Sequence, residues 1–293
     1  MKTVKILVSC HKKCEIPDND CFFPIHVGKA LSEVDLGFQG DDTGDNISER
    51  NRKYSELTAV YWAWKNLPPV DYIGLCHYRR YFEMNYSVES IEKALNESDV
   101  ILANPEIRPF SNAVLLERLV SKEDLYILLT SILRLYPEYR DTVINYYFNS
   151  NKWHRFNMFI CKWELFDKFA EFMFNVLMDA EKNMRPSGYS RINRGVGYWG
   201  ESLWAVFCIQ NNLIIRYVKT KNLDYPSCEN IKSKIRSWQS NLRKNIAFYL
   251  ARGFAYKKIP MTNAVLTGFM NDGMNQEIID LLGDKNLVWD TVL

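Results

Sequence analysis

The stretch YIGLCHYRRYF, residues 72–82, decides the fold. Its first part, Tyr72 to Cys76, has the apolar character of a strand that is buried on both faces of a parallel sheet. His77, Arg79 and Arg80 follow at the point where that strand ends. Ligands of α/β proteins bind beyond the carboxyl ends of the strands. The stretch therefore predicts a site at one edge of a sheet, for a ligand that attracts cations.

The segments around this stretch alternate between strand and helix patterns. Apolar runs predict further strands at Val4–Ser9, Val100–Ala103, Phe156–Cys161 and Leu213–Val218. Amphipathic spacing predicts helices at residues 48–67, 89–97, 122–147, 164–182 and 202–209, the third of them kinked or split by Pro137. This order is typical of an α/β fold with a central, mainly parallel sheet flanked by helices. We expect that domain at residues 1–225, followed by a C-terminal helical extension at 226–293.

Charge separates two parts of the chain. The formal net charge is +2, yet residues 229–258 contain eight Lys and Arg against the single acid Glu229. The remainder is net acidic, which argues against nucleic acid as a partner because that function requires a basic face on the main domain. Seven cysteines without matched C-x-x-C pairs indicate reduced thiols. The apolar run in the N-terminal segment MKTVKILVSC is too short for a signal peptide, so we expect a cytoplasmic protein.

The basic segment 229–258 also has an apolar pattern. Its apolar residues recur at helical spacing, at Ile231, Ile235, Trp238, Leu242, Ile246 and Leu250. Such a helix either packs its apolar face on the core or lies on an anionic membrane surface. The residues alone leave both interpretations open.

The segment GFQGDDTGDNI, residues 37–47, is a loop rich in glycine and aspartate. Asp41, Asp42 and Asp45 could hold a hard cation, but the acid that a twelve-residue Ca²⁺ loop needs in register is missing. Turn formation is the commoner role of such residues. Accepting hydrogen bonds from sugar hydroxyls is a third role, and the sequence does not choose among the three.

The cationic cluster that follows residue 76 suits a phosphate ligand. Arginine presents a planar fork that matches phosphate oxygens, and His77, Arg79 and Arg80 together could neutralise much of a diphosphate without a metal. If the extended geometry continues, alternation places His77 and Arg79 on one face and Tyr78 and Arg80 on the other. We then expect only one of the two arginines to reach the ligand.

The second half of the chain contains further polar candidates. His154, Asn157 and Arg194 suit a polar ligand, and Trp199 offers a flat face on which a sugar ring can stack. Glu201 is expected at the N-terminal end of an apolar helix, where the helix dipole favours a carboxylate and where it could act as a general base.

The end of the first strand reads Ser9-Cys10-His11-Lys12. A dinucleotide-binding protein would place a glycine-rich turn at this point, so we do not expect a Rossmann cofactor. The P-loop pattern G-x-x-x-x-G-K-[ST] and the serine elbow G-x-S-x-G are also missing from the sequence.

Four segments together resemble one known family. They are SCHK at 9–12, GDDTGDNIS at 40–48, NRKYSELTAVYWAWKN at 51–66 and YIGLCHYRRYF at 72–82. They closely resemble the bacterial capsule and O-antigen glycosyltransferases that were long catalogued only as a domain of unknown function, some of which are galactofuranosyltransferases. The resemblance covers about residues 4–220. It implies a GT-A-like fold, in which a nucleotide-sugar lies over the carboxyl ends of the central sheet and the acceptor binds from the C-terminal half.

The resemblance also implies which residues contact the substrates. Glu201 is similar to the acid that deprotonates the acceptor hydroxyl in inverting enzymes of this fold. The implied donor-binding residues are Ser9, His11, Lys12, Asp41, Asp42, Asp45, Asn46, Asn51, Tyr54, His77, Tyr78, Arg79 and Arg80. The implied acceptor-binding residues are His154, Asn157, Arg194 and Trp199. Family members often have Glu-Arg-Leu where this chain has Glu201-Ser202-Leu203, which puts one donor or acceptor contact in doubt.

The implied reaction transfers a hexosyl unit in bacterial surface polysaccharide synthesis. The leading donor is UDP-galactofuranose, and the acceptor is lipid-linked or an oligosaccharide. This brings the membrane interpretation of residues 229–258, at the inner face of the cell membrane, level with the packing interpretation. UDP-galactopyranose or another UDP-hexose is the alternative donor, and a non-catalytic saccharide-binding module is the alternative of another class. Many GT-A enzymes hold Mn²⁺ or Mg²⁺ through Asp-x-Asp where this chain has His77-Tyr78-Arg79. A divalent metal is therefore optional here, and no metal ligand is assigned.

Overall fold

The computed structural model describes residues 2–184, 194–224 and 231–255. These residues form two compact units. The first contains residues 2–105, 154–175 and 194–224, and the second contains residues 106–153, 176–184 and 231–255. This division differs from the expected boundary at residue 225, because residues 106–153 group with the second unit.

The strands of the described residues are numbered in chain order. They are β1 (Val4–Cys10), β2 (Phe22–His26), β3 (Gln39–Gly40), β4 (Tyr72–His77), β5 (Arg80–Phe82), β6 (Val100–Ala103), β7 (Glu106–Ile107), β8 (Lys152–Trp153), β9 (Phe159–Lys162), β10 (Ile215–Val218) and β11 (Thr220–Asn222). All except β7 and β8 belong to one sheet of the first unit, in the order β10-β6-β9-β4-β1-β2-β3, with β5 beside β4 and β11 beside β5.

The helices follow the same numbering. They are α1 (Asn51–Tyr54), α2 (Leu57–Asn66), α3 (Val88–Asn96), α4 (Asn112–Leu119), α5 (Lys122–Leu135), α6 (Arg140–Val143), α7 (Trp163–Glu181), α8 (Gly195–Gln210) and α9 (Ile231–Ala255). Short 3-10 turns form at Lys29–Leu31, Ser48–Arg50 and Pro137–Tyr139, and a π-helical turn forms at Ile144–Phe148.

The central sheet is mainly parallel. β1 pairs in parallel with β2 and β4, β2 with β3, and β6 with β10, whereas β9 runs antiparallel between β4 and β6. Ile6, Leu7 and Val8 of β1 and Ile73 and Leu75 of β4 are fully buried. The predicted α/β class with a central, mainly parallel sheet flanked by helices is confirmed.

The chain reverses directly after β4. His77 ends that strand, Tyr78 and Arg79 form a turn, and Arg80 begins β5 opposite His77 in an antiparallel pair. β11 then pairs antiparallel with β5, from Asn222 opposite Arg80 onward. The condition that the extended geometry continues past His77 is therefore not met, because the chain forms a hairpin whose outer strand also pairs with β11.

The helix predicted over residues 48–67 is interrupted. α1 ends at Tyr54, Ser55 adopts φ 53° and ψ −132°, and α2 begins at Leu57. The backbone conformation of Ser55 is incompatible with either helix. Glu56 consequently lies at the break between two helices instead of within a single one.

Helix α8 begins earlier than its sequence pattern predicts. Gly195, Gly197 and Gly200 have the spacing G-x-G-x-x-G of a dinucleotide-binding turn, but all three lie inside the helix. A Cβ atom on Gly197 would lie 3.2 Å from Oγ of Ser55, and one on Gly200 would lie 2.6 Å from a methyl group of Leu57. The glycines therefore allow α8 to approach the α1–α2 region closely.

The described cysteines all belong to the first unit, and most of them are buried. Cys10, Cys21, Cys76, Cys161 and Cys208 are buried, and Cys14 is partly exposed; all six are free thiols. Burial raises the pKa of the Cys76 thiol to about 12, so this group is uncharged at neutral pH.

The second unit is largely helical. Pro137 ends the predicted helix 122–147 near its middle: α5 stops at Leu135, and a 3-10 turn, α6 and the π-helical turn follow. β7 and β8 pair antiparallel as a small separate sheet.

Helix α9 in the second unit exposes its apolar row. Ile231, Ile235, Trp238, Leu242, Ile246 and Leu250 have 45–77% of their surface exposed. The helix packs through another face instead, since Phe248 is buried and Asn245 Oδ1 accepts a hydrogen bond of 2.9 Å from Asn151 Nδ2. Within the part of the chain that the structure describes, the apolar row is exposed and not packed. None of the described helices is long and apolar enough to cross a membrane.

Substitution of Gly74 tests the packing of the central strand. A Cβ atom at this position would lie 2.6 Å from the backbone carbonyl oxygen of Phe159 in β9. Since backbone cannot move aside cheaply, we expect Gly74→Ala to lower the free energy of unfolding by about 1–3 kcal/mol, measured by denaturant titration.

Gly40→Ala is the matched control. Its nearest contacts would be the side chains of Asp42 and Lys29, which can rotate away. We expect Gly40→Ala to lower the free energy of unfolding by less than Gly74→Ala does. Equal decreases for the two variants would contradict this account of the β4–β9 contact.

Candidate active site

A cavity of about 610 Å³ opens at the carboxyl ends of β1 and β4 in the first unit. The expected site residues that line it are Ser9, His11, Asn51, His77, Tyr78, Arg79, Arg80, Arg194 and Glu201. The remaining lining residues are Val27, Arg52, Ser55, Glu56, Phe156, Gly197 and Tyr198. The cavity therefore combines several cationic side chains with two carboxylates.

His77 is held at the start of the hairpin turn. Its Nε2 atom lies 2.7 Å from the carbonyl oxygen of Phe156. Because a carbonyl can only accept, Nε2 carries the proton in this arrangement. Ser9, opposite His77 in the parallel β1–β4 pair, donates its hydroxyl to the carbonyl oxygen of Cys76 at 3.3 Å.

Both arginines of the hairpin line the same cavity, so the separation onto opposite faces that a continued strand would produce does not occur. Arg79 is 43% exposed, and its Nη1 atom lies 3.5 Å from a carboxylate oxygen of Asp224. Arg80 is more enclosed, with its guanidinium carbon 4.0 Å from the centre of the Phe156 ring. The hairpin explains this convergence, because its turn removes the alternation of a continuous strand.

Both carboxylates of the cavity, Glu56 and Glu201, influence the pKa of Arg80. Burial lowers the pKa of Arg80, and the positive charges of Arg79 and Arg155 lower it further. Glu56 and Glu201 oppose this by favouring the charged form. Arginine still carries its charge at neutral pH.

Tyr78 forms a largely buried platform beside the cations. The His11 ring contacts it edge-on at 5.2 Å, and Lys12 Nζ and the Arg79 guanidinium lie 5.4 and 5.6 Å from its ring centre. Lys12 is exposed and is not among the lining residues. Burial lowers the pKa of His11, and nearby Lys12, Arg79 and Arg194 lower it further, so His11 is neutral at pH 7 in this arrangement.

Glu201 lies in the second turn of α8, because the helix begins at Gly195. The prediction that Glu201 lies at the helix N-terminus is therefore wrong. The helix dipole does not explain the position of its carboxylate, because that effect is confined to the first turn. Glu201 lines the large cavity and also a small adjacent one, together with His154, Asn157 and Trp204.

Glu56 is the second carboxylate of the cavity, and the sequence analysis did not find it. Its side chain is 14% exposed. Oε1 accepts a hydrogen bond of 2.7 Å from Asn157 Nδ2 and lies 3.9 Å from His77 Nε2. In the continuous helix predicted for residues 48–67, Glu56 would point away from the apolar positions Tyr54, Leu57, Tyr61 and Trp64, so no local pattern marked it as a site residue.

Unusual backbone conformations occur around Glu56. Ser55, Phe156 and Asn157 have positive φ angles of 53°, 81° and 52°. Such conformations cost about 1–3 kcal/mol each and are often found at functional sites. Asn51 supports the turn, because its Nδ2 atom donates to the carbonyl oxygen of Ser55 at 2.7 Å.

The aspartate loop has its own internal structure. The buried carboxylate of Asp41 accepts hydrogen bonds from the amides of Gly28 and Lys29, at 2.8 and 3.1 Å, and from the Ser48 hydroxyl. Asp45 accepts from the hydroxyl of Tyr61 at 3.1 Å. These bonds favour turn formation among the three roles that the sequence left open.

The remaining loop candidates do not line the cavity. Asp42 is exposed, and Asn46 Oδ1 accepts from the amide of Ser48 at 3.1 Å, which closes a local turn. Over residues 2–184, 194–224 and 231–255, no group of three or more His, Cys, Asp or Glu is arranged to hold a metal ion.

Other expected site residues are also placed elsewhere. Tyr54 and Trp199 are fully buried, so neither presents a ring face to a ligand, and Tyr198 lines the cavity in place of Trp199. His154 is buried in contact with the hydroxyl of Tyr217 at 2.8 Å and lines the small cavity. Asn157 is buried beside Glu56, whereas Arg194 reaches the large cavity, with Nη2 3.3 Å from Ser55 Oγ.

Comparison with known proteins identifies the family. The model of a domain of unknown function, DUF4422, matches residues 5–212. The chain belongs to the DUF4422 family. A solved apo structure of the WbbM bifunctional glycosyltransferase is similar, with 26% sequence identity and a TM-score of 0.71. The similarity covers 77% of this chain and 46% of the WbbM chain, so this chain matches less than half of that protein. No match was found among the curated proteins.

The matched DUF4422 region contains every residue that lines the large cavity, from Ser9 to Glu201. It ends before β10, β11 and α9. The candidate active site is therefore a feature of the DUF4422 region, whereas α9 lies outside it.

Substitution of Asp41 tests the structural role of the aspartate loop. Asp41→Asn weakens a buried acceptor of three hydrogen bonds, so we expect the free energy of unfolding to fall by about 1–3 kcal/mol in a denaturant titration. Asp42→Asn, at an exposed position of the same loop, is the control and is expected to change it by less than about 0.5 kcal/mol. Loss of Mn²⁺ binding by Asp41→Asn at unchanged stability would instead make the loop a metal site.

Proposed function

We propose that this chain is a glycosyltransferase with a GT-A-like arrangement, which transfers a hexosyl unit from a UDP-sugar to a glycan acceptor. The observation that carries this proposal is the shared cavity, in which His77, Arg79, Arg80 and Arg194 accompany Glu201. Its position at the carboxyl ends of parallel strands is the usual ligand position in α/β folds. The similarity to the WbbM glycosyltransferase supports the same reaction class.

The cations suit the diphosphate of the donor. Arg79 lies in the hairpin turn and Arg80 directly follows it, and both can form charge-assisted, forked hydrogen bonds with phosphate oxygens. They would stabilise the negative charge that develops on the leaving nucleoside diphosphate. Neutral His11, at the same edge, can take up a proton as the diphosphate binds, because an anion favours its charged form.

Glu201 is the proposed general base. In an inverting transfer its carboxylate takes the proton of the acceptor hydroxyl while that oxygen attacks the anomeric carbon. The bond between the anomeric carbon and the phosphate oxygen breaks, and UDP leaves with the bonding electron pair. The position of Glu201 in the second turn of α8 means that the helix dipole does not account for its place in the cavity.

The donor proposed first is UDP-galactofuranose, which rests on the resemblance of residues 9–12, 40–48, 51–66 and 72–82 to a family that includes galactofuranosyltransferases. UDP-galactopyranose and other UDP-hexoses fit the same cations. For the acceptor we propose a lipid-linked or oligosaccharide glycan of a capsule or O-antigen, with Arg194 as a candidate contact.

A divalent metal does not fit the aspartate loop. Asp41 is occupied by two amides and a hydroxyl, and Asp45 by a tyrosine hydroxyl, so their carboxylates do not converge on one point. No step of the proposed transfer is assigned to Mn²⁺ or Mg²⁺.

Calorimetric titration of UDP tests the role of the cations. In EDTA we expect UDP to bind, and Arg79→Ala and Arg80→Ala to weaken it by about tenfold or more each, since each removes a charge-assisted hydrogen bond. Arg216→Ala is the control, because Arg216 is similarly exposed, forms a comparable ion pair with Glu97 and lies outside the cavity lining. Binding that requires Mn²⁺ would contradict the metal-free account.

Glu201→Gln separates chemistry from binding. The amide keeps the shape of the side chain but cannot accept the proton, so we expect transfer to fall by at least about 100-fold while UDP affinity changes little. The assay measures sugar transfer to a glycan acceptor, beside calorimetry with UDP. Equal loss of transfer and binding would indicate a structural role, and UDP binding without any transfer by the wild type would favour a non-catalytic saccharide-binding module.

We further propose that α9 contacts an anionic membrane surface from the cytoplasmic side. Its exposed apolar row runs along one side of the helix, and Lys232, Lys234, Arg236, Arg243 and Lys244 are interspersed with it. Apolar side chains of such a helix insert at the headgroup boundary, and each nearby Lys or Arg adds about 1 kcal/mol of attraction to anionic lipid. The contact would bring the enzyme to a lipid-linked acceptor.

Vesicle co-sedimentation tests the membrane contact. We expect the protein to sediment with vesicles of phosphatidylglycerol and phosphatidylcholine, less with phosphatidylcholine alone, and the double change Ile235→Glu and Trp238→Glu to reduce binding at least about tenfold. Val34→Glu, at an exposed apolar residue of the first unit, is the control. Binding that is unaffected by the double change would disprove the role of α9.

A further inference from the structure

The proposed transfer uses one carboxylate of the cavity, Glu201, and leaves Glu56 without a role. The Glu56 side chain is 14% exposed, so most of its surface is removed from water. Such a carboxylate is unfavourable unless it is paired or hydrogen-bonded. The hydrogen bond from Asn157 and the positive charge of Arg80 offset part of this cost, and a ligand group bound by the carboxylate would offset more of it.

Helix capping does not explain the position of the Glu56 carboxylate. Glu56 occupies the N-cap position of α2, where a short side chain usually accepts a hydrogen bond from the first turn of the helix. Its side chain forms no such bond, and its backbone is in the right-handed helical region. The carboxylate turns instead towards Asn157 and the cavity.

The position of Glu56 is fixed from two sides. On one side, the residue before it, Ser55, has φ 53° and is tied by its hydroxyl to Arg194. On the other side, Asn157, which also has a positive φ angle, donates to Oε1. Among the described residues, the side chain of Glu56 accepts its hydrogen bond from Asn157 through Oε1. Its Oε2 atom can therefore accept a hydrogen bond from a ligand.

Asn157 also places Glu56 close to the proposed base. Its Nδ2 atom lies 3.2 Å from the carbonyl oxygen of Gly197, and a Cβ atom on Gly200 would lie 3.0 Å from its Oδ1 atom. Glu56 is therefore connected through one side chain to the turn of α8 that carries Glu201. A base in this reaction must lie near the anomeric carbon, so this connection favours a position of Glu56 near the transferred sugar, although its Oε1 atom also lies 3.9 Å from Nε2 of His77.

The chemistry of a carboxylate limits what it can bind here. An ionised carboxylate only accepts hydrogen bonds, and it repels the phosphates. Within a nucleotide-sugar, the hydrogen-bond donors near the anomeric carbon are the hydroxyl groups of the sugar. We propose that Glu56 binds hydroxyl groups of the donor hexose and thereby determines which sugar the site accepts. This assignment rests on the proposed glycosyltransferase function.

Glu56→Gln tests the assignment, because the amide can still accept the hydrogen bond from Asn157 but has lost the charge. Calorimetry compares UDP with UDP-galactofuranose and UDP-galactopyranose, all without acceptor. We expect Glu56→Gln to weaken binding of at least one UDP-sugar by about tenfold, as the loss of a hydrogen bond to a charged group predicts, and to change UDP binding by less than about twofold. Glu49→Gln, an exposed glutamate nearby, is the matched control.

Glu56→Asp provides a second variant if the glutamine variant does not fold. It keeps the charge but withdraws the carboxylate by one methylene group, so the same selective loss for UDP-sugar is expected. Equal weakening of UDP and UDP-sugars, or no weakening of either, would overturn the assignment while leaving the proposed function intact. If the wild type binds neither UDP nor the UDP-sugars, the proposed function is wrong and the assignment fails with it.

Discussion

The pairing of His77 with Arg80 across the hairpin turn is the constraint on which the candidate site depends. β4 is fixed between β1 and β9, so the point at which it leaves the sheet cannot vary. The reversal at Tyr78 and Arg79 then confines two arginines and a histidine to one edge. Like charges this close repel one another, and the backbone hydrogen bonds of β4, β5 and β11 hold them together without a ligand.

Much of the central sheet could be predicted from the sequence, because its strands are apolar runs with clear ends. β1, β4 and β6 lie within a residue or so of their expected positions, whereas β9 begins at Phe159 and β10 at Ile215, later than expected. β2 was missed because Pro24 and partly polar surroundings break its apolar pattern. The start of α8 was missed for a different reason, since glycine usually signals a loop and here serves close helix packing.

The candidate site was only partly predictable, and the difference lies in what each residue depends on. His77, Arg79 and Arg80 follow a buried strand, so their position can be inferred from local sequence. The position of Glu56 depends on the helix break at Ser55, which no local sequence pattern predicts, and on contact with Asn157, about a hundred residues away in the chain. The aspartate loop shows the opposite case. Its cluster of acids suggested a binding site, but Asp41 accepts its hydrogen bonds from neighbouring protein groups, the amide of Gly28 and the hydroxyl of Ser48.

The backbone angles of Ser55 have an evolutionary consequence. With φ 53° and ψ −132° it occupies a conformation that glycine adopts without strain, so selection for thermal stability alone would favour glycine at this position. Glycine would remove the hydroxyl that contacts Arg194 and would loosen the chain beside Glu56. Relief of the backbone strain at position 55 and a fixed position of the chain beside Glu56 therefore oppose each other.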